Sequence, residues 1–486
     1  MSHRRIVIFL GILLSGVHGR AQVACDCDGF SGNHACSGVD LMSVKSLAEL
    51  GGGANGNDCW GWVDPNSGRE FVLYGRANGT AIVDITNPLN VRYIANLPTN
   101  TVSSLWRDIK VYGHHAYIVS EASGHGMQVL DLSILPGLPL GSTTLLAANH
   151  VYNAFGKAHN VIINEDSGYG YAVGSNTFNG GLHVFALDNP AQPVIAGSYD
   201  AYYTHDAHPV IYHGPDLDHV GREIVACFNG YNGLHIVDAT VKSDIVPVSS
   251  LVYNQLGYTH QGWFSEDHRF LYVNDELDEM NFGVPTRTYI VNVEDLDAPC
   301  IAGVFQAPVA AIDHNNYVRG SRLYQANYLS GLRILDLSNA EDGSLELIGY
   351  FDTNPESDAA QFQGAWSVYP YFPSGNVAVS TMTHLYIVRP SDEIWNEPVA
   401  IIPGCTYSFA GNYNPNANSD DGSCVATGCT DPAALNFNEQ AVMEDGGCIY
   451  YAGNADCPAD ITGDGVVSVA DMLNVLAAFG EACEPQ

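Results

Sequence analysis

One phrase recurs seven times along the middle of the chain: "GTAIVDITNP" (79–88), "HGMQVLDLS" (125–133), "GGLHVFALDNP" (180–190), "NGLHIVDAT" (232–240), "RTYIVNVEDLDAP" (287–299), "SGLRILDLSN" (330–339) and "THLYIVRPSD" (383–392). Each copy is a Gly or polar turn, a short alternating apolar strand, then an Asp or Asn turn. A second strand precedes it ("AYIVSE", "GYAVGS", "EIVACF", "FLYVND", "RLYQAN"), and a third follows most copies ("VRYIANLP", "ELIGYFDT"). A further polar segment and strand open each unit. Four short strands at a period of roughly 40–55 residues, with almost no helical patterning, are the mark of β-propeller blades. The last copy stops after "LYIV", while "VDLMSVKSLAEL" (39–50) has no blade of its own and can close the ring. The reading is all-β: a seven-bladed propeller over 59–395, with a ring-closing strand in the Cys-containing segment 22–58.

The flanks differ from the middle. Residues 1–21 read as a signal peptide: Arg4 and Arg5, a short apolar run over 6–14, then Gly19 and Ala21 before the cut. No other stretch reaches the ~18 apolar residues of a membrane span, so the mature chain is expected without one, and monomeric. Of 12 cysteines, Cys25, Cys27, Cys36 and Cys59 lie at the start and six lie at the end; only Cys227 and Cys300 lie between. In an exported chain this implies stapled ends around a self-supporting core. The pairing of the first four stays open.

The tail repeats one module, "GCTYSFAGNYNPNANSDDGSC" (404–424) and "GCTDPAALNFNEQAVMEDGGC" (428–448), which points to the pairs Cys405–Cys424 and Cys429–Cys448. Asp420, Asp421, Glu444 and Asp445 are calcium candidates there or plain spacer. Then "DITGDGVVSVADMLNVLAAFG" (460–480) has the EF-hand rhythm: Asp460, Thr462, Asp464, the Val466 carbonyl, Ser468 and Asp471 as calcium ligands, with Gly465 at the turn. An apolar helix face follows (Met472, Leu473, Val475, Leu476, Phe479), and Cys457 and Cys483 bracket this dockerin-like unit, 457–483. One such loop suits anchoring or stabilising better than a two-loop docking module.

"WGWVDPNSGREFVLYGRANGTAIVDITNP", "LWRDIKVYGHHAYIVSEASGHGMQVLDL", "THQGWFSEDHRFLYVNDELDE" and "YLSGLRILDL" resemble the choice-of-anchor B family of secreted proteins with LVIVD-type repeats, over residues 23–395. The resemblance implies an exported propeller whose C-terminal attachment module varies. It implies no reaction.

The chemistry-bearing pattern is a histidine repeated just before the first strand of four successive units: His159-Asn160, His205-Asp206, His260-Gln261 and His314-Asn315, with Arg107-Asp108 and Phe362-Gln363 at the matching points. First strands line a propeller's channel, so these residues ring one mouth, with Asp313 and His208 beside them. Imidazoles converging there suit a zinc, copper or iron ion and hence a metal-dependent enzyme. They equally suit a ladder in which each His bonds the Asp, Asn or Gln of the next blade. Glu121 and His125 are placed near the same mouth. "NDELDE" (274–279), with Asp275, Glu276, Asp278 and Glu279, reads as a solvated turn or a calcium loop. Trp60, Trp62 and Trp366 read as packing aromatics before sugar platforms.

With 18 Lys+Arg against 53 Asp+Glu, the chain is expected to repel nucleic acid and to favour cations. The expected function is an extracellular or cell-surface binding module for an unknown ligand or surface component, with a calcium-binding attachment or spacer tail. A metal-dependent enzyme and a structural matrix component are the alternatives.

Overall fold

The repeated Asp explains why the units look alike. At the end of the third strand of four blades Asp84, Asp131, Asp238 and Asp336 each accept the amide of the residue two further on, at 2.9, 2.9, 2.9 and 2.7 Å. That side-chain bond fixes the turn into the fourth strand. Three of these carboxylates also hold an Arg from the start of the second strand: Arg69–Asp84, Arg222–Asp238 and Arg322–Asp336.

The computed structural model describes residues 22–396, and beyond them 403–404, 419–420, 423, 425, 428–434, 436–437, 441, 447–449, 459–462 and 466–477. Residues up to Glu397 and those from Pro398 onward form two separate compact units. The first is a seven-bladed propeller. The innermost strands are, in order, Gly56–Val63, Arg107–Tyr112, Asn160–Asn164, Asp206–Ile211, Thr259–Phe264, Asn315–Arg319 and Ala365–Tyr369. Each begins an antiparallel sheet of four blade strands, and the recurring phrase supplies the third strand every time. The first blade opens at Gly56, ahead of the expected boundary at 59.

The seventh sheet takes its outermost strand from Val39–Ser46, which pairs with His384–Pro390. Just before it, Phe30–Ser31 and His34–Ser37 form a hairpin on the outer edge of blade 6, with Cys36 opposite Phe351. The N-terminal segment thus spans two blades, covers an edge strand, and is stapled by Cys25–Cys36. Cys27, Cys59, Cys227 and Cys300 are free thiols, Cys59 and Cys227 deep in the core.

The alternation read from sequence becomes continuous burial. Gly79–Asp84 and Leu234–Asp238 are buried at every position, because each middle strand is covered by neighbouring blades on both faces. Outermost strands such as Cys300–Gln306 keep exposure at alternate positions. Innermost strands of adjacent blades touch all the way round the ring.

In the C-terminal unit, Cys429–Cys448 is bonded as the spacing indicated. Cys405, Cys424, Cys457 and Cys483 lie outside the described residues, as do Asp421, Glu444, Asp445, Asp464, Gly465, Phe479 and residues 1–21, where a signal peptide is expected. Val469–Ala477 is helical. Asp471 accepts the amides of Thr462 (2.9 Å) and Ser468 (2.7 Å) and the Thr462 hydroxyl (2.9 Å). Those amides hold its carboxyl well below the usual range. Asp460 is buried beside it, 3.2 Å from the Thr462 hydroxyl.

Candidate functional site

The channel has two ends and a middle, set by the inner strands. Asp58 accepts the Ile109 amide (3.0 Å), Asp108 that of Val161 (2.8 Å), His208 that of Phe264 (3.1 Å) and Gln261 that of Asn316 (2.9 Å). Each bond joins one blade to the next, so equivalent residues stand side by side and the strands run in step.

At the strand starts lie His159, His205, His260 and His314, packed in series with tilted rings whose centroids are 4.3, 4.3 and 4.4 Å apart. The ladder between them runs to main chain, not to the Asp, Asn or Gln side chains expected. Nδ1 of His205 donates to the His260 carbonyl (3.1 Å), Nδ1 of His260 to the His314 carbonyl (3.1 Å), and Nδ1 of His314 to the Trp366 carbonyl (2.5 Å). Asn160 donates to the His205 carbonyl at 3.1 Å, extending the series to blade 3. Carbonyls are fixed in space and available at every blade, which is why they win over mobile side chains. His159 differs: its Nδ1 meets Glu121 at 2.6 Å.

Two β-bulges aim this ring inward. The register slips between Thr259 and Gln261 and between Ala365 and Ser367, leaving His260 and Trp366 as unpaired residues. Trp366, not Phe362, therefore occupies the seventh place; Phe362 is exposed.

With Nδ1 of His260 and His314 engaged, their Nε2 atoms carry the free lone pairs. Both face Glu276, at 3.8 and 3.7 Å. Tyr328 donates to the same carboxylate at 2.8 Å. Burial, and then neighbouring imidazoles, keep the histidines neutral: His260 and His314 are pushed down to about 3, and His205 falls well below its ordinary value. The free space among them is only about 10 Å³, room for about one water. Arg107 is tied back to the Arg76 carbonyl (3.1 Å) and to His125 (3.2 Å). Trp106, Asn160 and Asn315 complete the lining.

One layer in, Lys110 is bonded to Asp108 (2.8 Å) and lies 3.6 Å from Asp58. Asp206 shares the layer without a cation of its own, and burial followed by Asp108 raises it to about 7.

The opposite end is open. A cavity of about 420 Å³ is walled by Trp60, Lys110, His208, Trp263, Tyr369 and Tyr371, with Glu165, Asp166 and Glu266 also lining it. His208 belongs here, not at the histidine mouth, and stacks on Trp263 at 3.8 Å. The Lys110 ammonium lies 4.6 Å from the Trp60 ring centre. Asp313 is likewise absent from the mouth's lining; it turns into a buried pocket with Asp278 and Glu279.

Sequence reasoning missed Trp263 and the role of Glu276. The first had a signal. Three residues after each mouth position come Lys110, Ile162, His208, Trp263, Tyr317 and Tyr369, one per blade. Glu276 had none, because "NDELDE" looks locally like a solvated turn.

No family model and no curated protein matches the sequence. A solved structure described as the Myceliophteria thermophila Cps50 (Swd1) β-propeller domain is similar over 72% of this chain and 99% of its own length, with 13% identity and a TM-score of 0.46.

Proposed function

We propose that the protein is an exported binding propeller that takes a neutral, hydroxyl-bearing ring, such as a saccharide unit, at the wide end of its channel. The observation that carries this is the cavity of about 420 Å³ walled by Trp60, Trp263, Tyr369 and Tyr371. It is concave, with four aromatic rings among aliphatic side chains such as Val111, Ile163 and Val210 and a polar set able to orient a ligand. Glu165, Asp166 and Glu266 accept hydrogen bonds from hydroxyls and repel anions, as does a chain of net charge −35. Export rests on the reading of residues 1–21 and on the resemblance to choice-of-anchor B proteins. The unit at 457–483 would bind calcium and attach or space the propeller.

The test is a neutral glycan array probed with the full chain, followed by tryptophan fluorescence titration of any hit. Trp263→Ala should weaken binding about tenfold, or about 1.4 kcal/mol, the scale of an aromatic contact. His205→Ala should leave it unchanged. Binding to no neutral glycan, or equal loss from both variants, sinks the proposal.

A second reading rests on the other mouth. His260, His314 and Glu276 would hold a zinc, copper or iron ion: each His donates Nδ1–H to a carbonyl and presents Nε2, the outer-shell arrangement usual for metal-bound imidazole. Their Nε2-to-carboxylate separations of 3.7 and 3.8 Å are slightly wider than the ~3.4 Å expected across tetrahedral zinc. The cramped space favours a closed metal centre over an enzyme site that must admit substrate. Elemental analysis of the full chain, purified without chelator or His-tag beside a His260→Ala/His314→Ala variant, decides it. About one ion per chain, lost in the variant, supports a metal centre; none in either leaves a hydrogen-bonded ladder alone.

A further inference from the structure

Between blades 5 and 6 three carboxylates are buried together. Asp278 and Glu279 come from the short helix Asp278–Phe282, and Asp313 from the loop entering blade 6. Their exposures are 0%, 3% and 0%, and one oxygen from each lies within 4.8 Å of the others. Arg287 is the cation bonded to the cluster. It binds Oδ2 of Asp278 at 2.7 and 2.9 Å, and Tyr289 donates to that same oxygen at 3.2 Å.

The remaining oxygens are not served. Oδ1 of Asp278, both oxygens of Glu279 and both of Asp313 lack a well-formed hydrogen bond to a donor group; the Asp275 amide approaches Asp313, and the Asp278 and Glu279 carboxyls lie close enough to share a proton. The adjacent Asp275 shows what a satisfied buried carboxylate looks like here. It accepts from Gly257 N (2.8 Å), Tyr258 N (2.5 Å) and the Tyr253 hydroxyl (2.9 Å). Five orphaned carboxylate oxygens in a dry pocket are costly in a native fold unless something absent from the chain itself answers them.

Two agents can: shared protons or a cation. The arrangement favours the cation. Oxygens on opposite sides of a calcium ion, each at 2.3–2.6 Å, stand ~4.6–5.2 Å apart, and this cluster fits within that span. Five carboxylate oxygens are open to an ion, Oδ2 of Asp278 being held by Arg287 and Tyr289, which approaches a calcium shell, and no nitrogen or sulfur ligand competes.

We infer that Asp278, Glu279 and Asp313 form a divalent cation site, for calcium, that clamps blade 5 to blade 6. It lies next to the histidine mouth in sequence: Asp313 precedes His314, and Glu279 follows Glu276 by three residues. An ion here would fix the backbone carrying both groups, whether or not that mouth holds a metal.

The experiment is calorimetry of the full chain in EGTA and in 5 mM calcium, reading the propeller transition. Calcium should raise the wild-type melting temperature by about 5 °C, as a ligand at ~100 times its dissociation constant would. Glu279→Gln/Asp313→Asn should fold without calcium and lose that shift, since neutral amides replace the charges. Asp460→Asn/Asp471→Asn should keep it, separating this site from the tail loop. Terbium gives an independent reading: Tyr289 beside Asp278 should sensitise its emission in the wild type and not in the Glu279→Gln/Asp313→Asn variant. A wild-type transition indifferent to calcium, or a shift retained in that variant, overturns the inference and makes the cluster a proton-sharing one.

Discussion

The two ends of the channel are built on the same seven strands, a few residues apart, yet one is packed shut and the other holds a cavity of about 420 Å³. At the closed end Asn160 and the imidazoles of His205, His260 and His314 reach sideways to the next blade's carbonyls, with the rings packed at a tilt against one another. At the open end large rings stand one to a blade, broken by Ile162 and Lys110. What separates plug from pocket is therefore side-chain reach. Groups whose lateral bonds run across the channel mouth fill it, whereas at the open end the lateral bonds, such as Tyr371 to the Val318 carbonyl (2.9 Å), hold the rings back against the strands and leave a void between them.

Lys110 stands where the two regimes meet, and removing it should have the largest effect. It is the cation bonded between Asp58 and Asp108, and its ammonium also faces Trp60. Lys110→Met keeps the length and drops the charge. Stranding two buried carboxylates should cost about 3–5 kcal/mol, measured by urea denaturation of the full chain at pH 7.5. A loss below about 1 kcal/mol would mean that water reaches this layer, and the contrast between the ends would then be one of shape alone.

How much of this was legible depends on whether the signal was local. The blades were readable because an Asp at the end of the third strand bonds an amide two residues on, a purely local device that stamps the same phrase on the sequence. The four histidines were readable because they recur at one point of each unit. The partner of their ladder was not, since a backbone carbonyl carries no sequence signature. Glu276 was hidden in the same way: Asp275, Glu276, Asp278 and Glu279 are close in sequence, but one caps a turn, one faces two histidines and two share a buried pocket. Only the packing of blade 5 against blade 6 distinguishes them. Phe362 was misaligned because the bulge at Trp366 shifts the strand start, and a bulge leaves no mark in an apolar pattern.

The second effect is on pH dependence. Asp206 releases its proton near pH 7 in the fold and near ~3.9 in the unfolded chain. Between those values the folded state binds more protons, so this group's contribution to stability is present at pH 4 and lost as pH rises through 7. Asp206→Asn imitates the protonated form and can still accept the Ala207 amide. It should stabilise the chain by about 2 kcal/mol at pH 8, the full shift being discounted for partial exposure, and change little at pH 4. Equal effects at both pH values would show that Lys110 already compensates Asp206.

The third effect compares the ends through their own histidines. His205→Ala deletes the bond to the His260 carbonyl and leaves that acceptor unmet, so it should cost about 1–2 kcal/mol. His208→Ala should cost a similar amount, because the Phe264 amide loses its acceptor. The two variants should differ in where they act: loss at His205 should leave the wide cavity's ligand affinity unchanged, while loss at His208 should reduce it by freeing Trp263.

The smallest effect is the sharpest, because those two bonds run in opposite senses. Nδ1 of His205 donates to a carbonyl, so its proton is on Nδ1. Nδ1 of His208 accepts an amide, so its proton is on Nε2. An asparagine places its amide group where Nδ1 was, and it can turn either the nitrogen or the oxygen toward the partner. His205→Asn and His208→Asn should each recover all but about 0.5 kcal/mol of the corresponding alanine loss, one by donating and one by accepting. Imidazole nitrogen-15 spectra at pH 7 should show the two tautomers directly. The same spectra bear on the closed mouth, since both the ladder and any metal there need Nε2 of His260 and His314 bare. In the neutral ring, a proton on Nε2 of His260 would remove its ladder bond and the candidate ligand together, and the closed end would then be held by the bonds of Asn160, His205 and His314 alone.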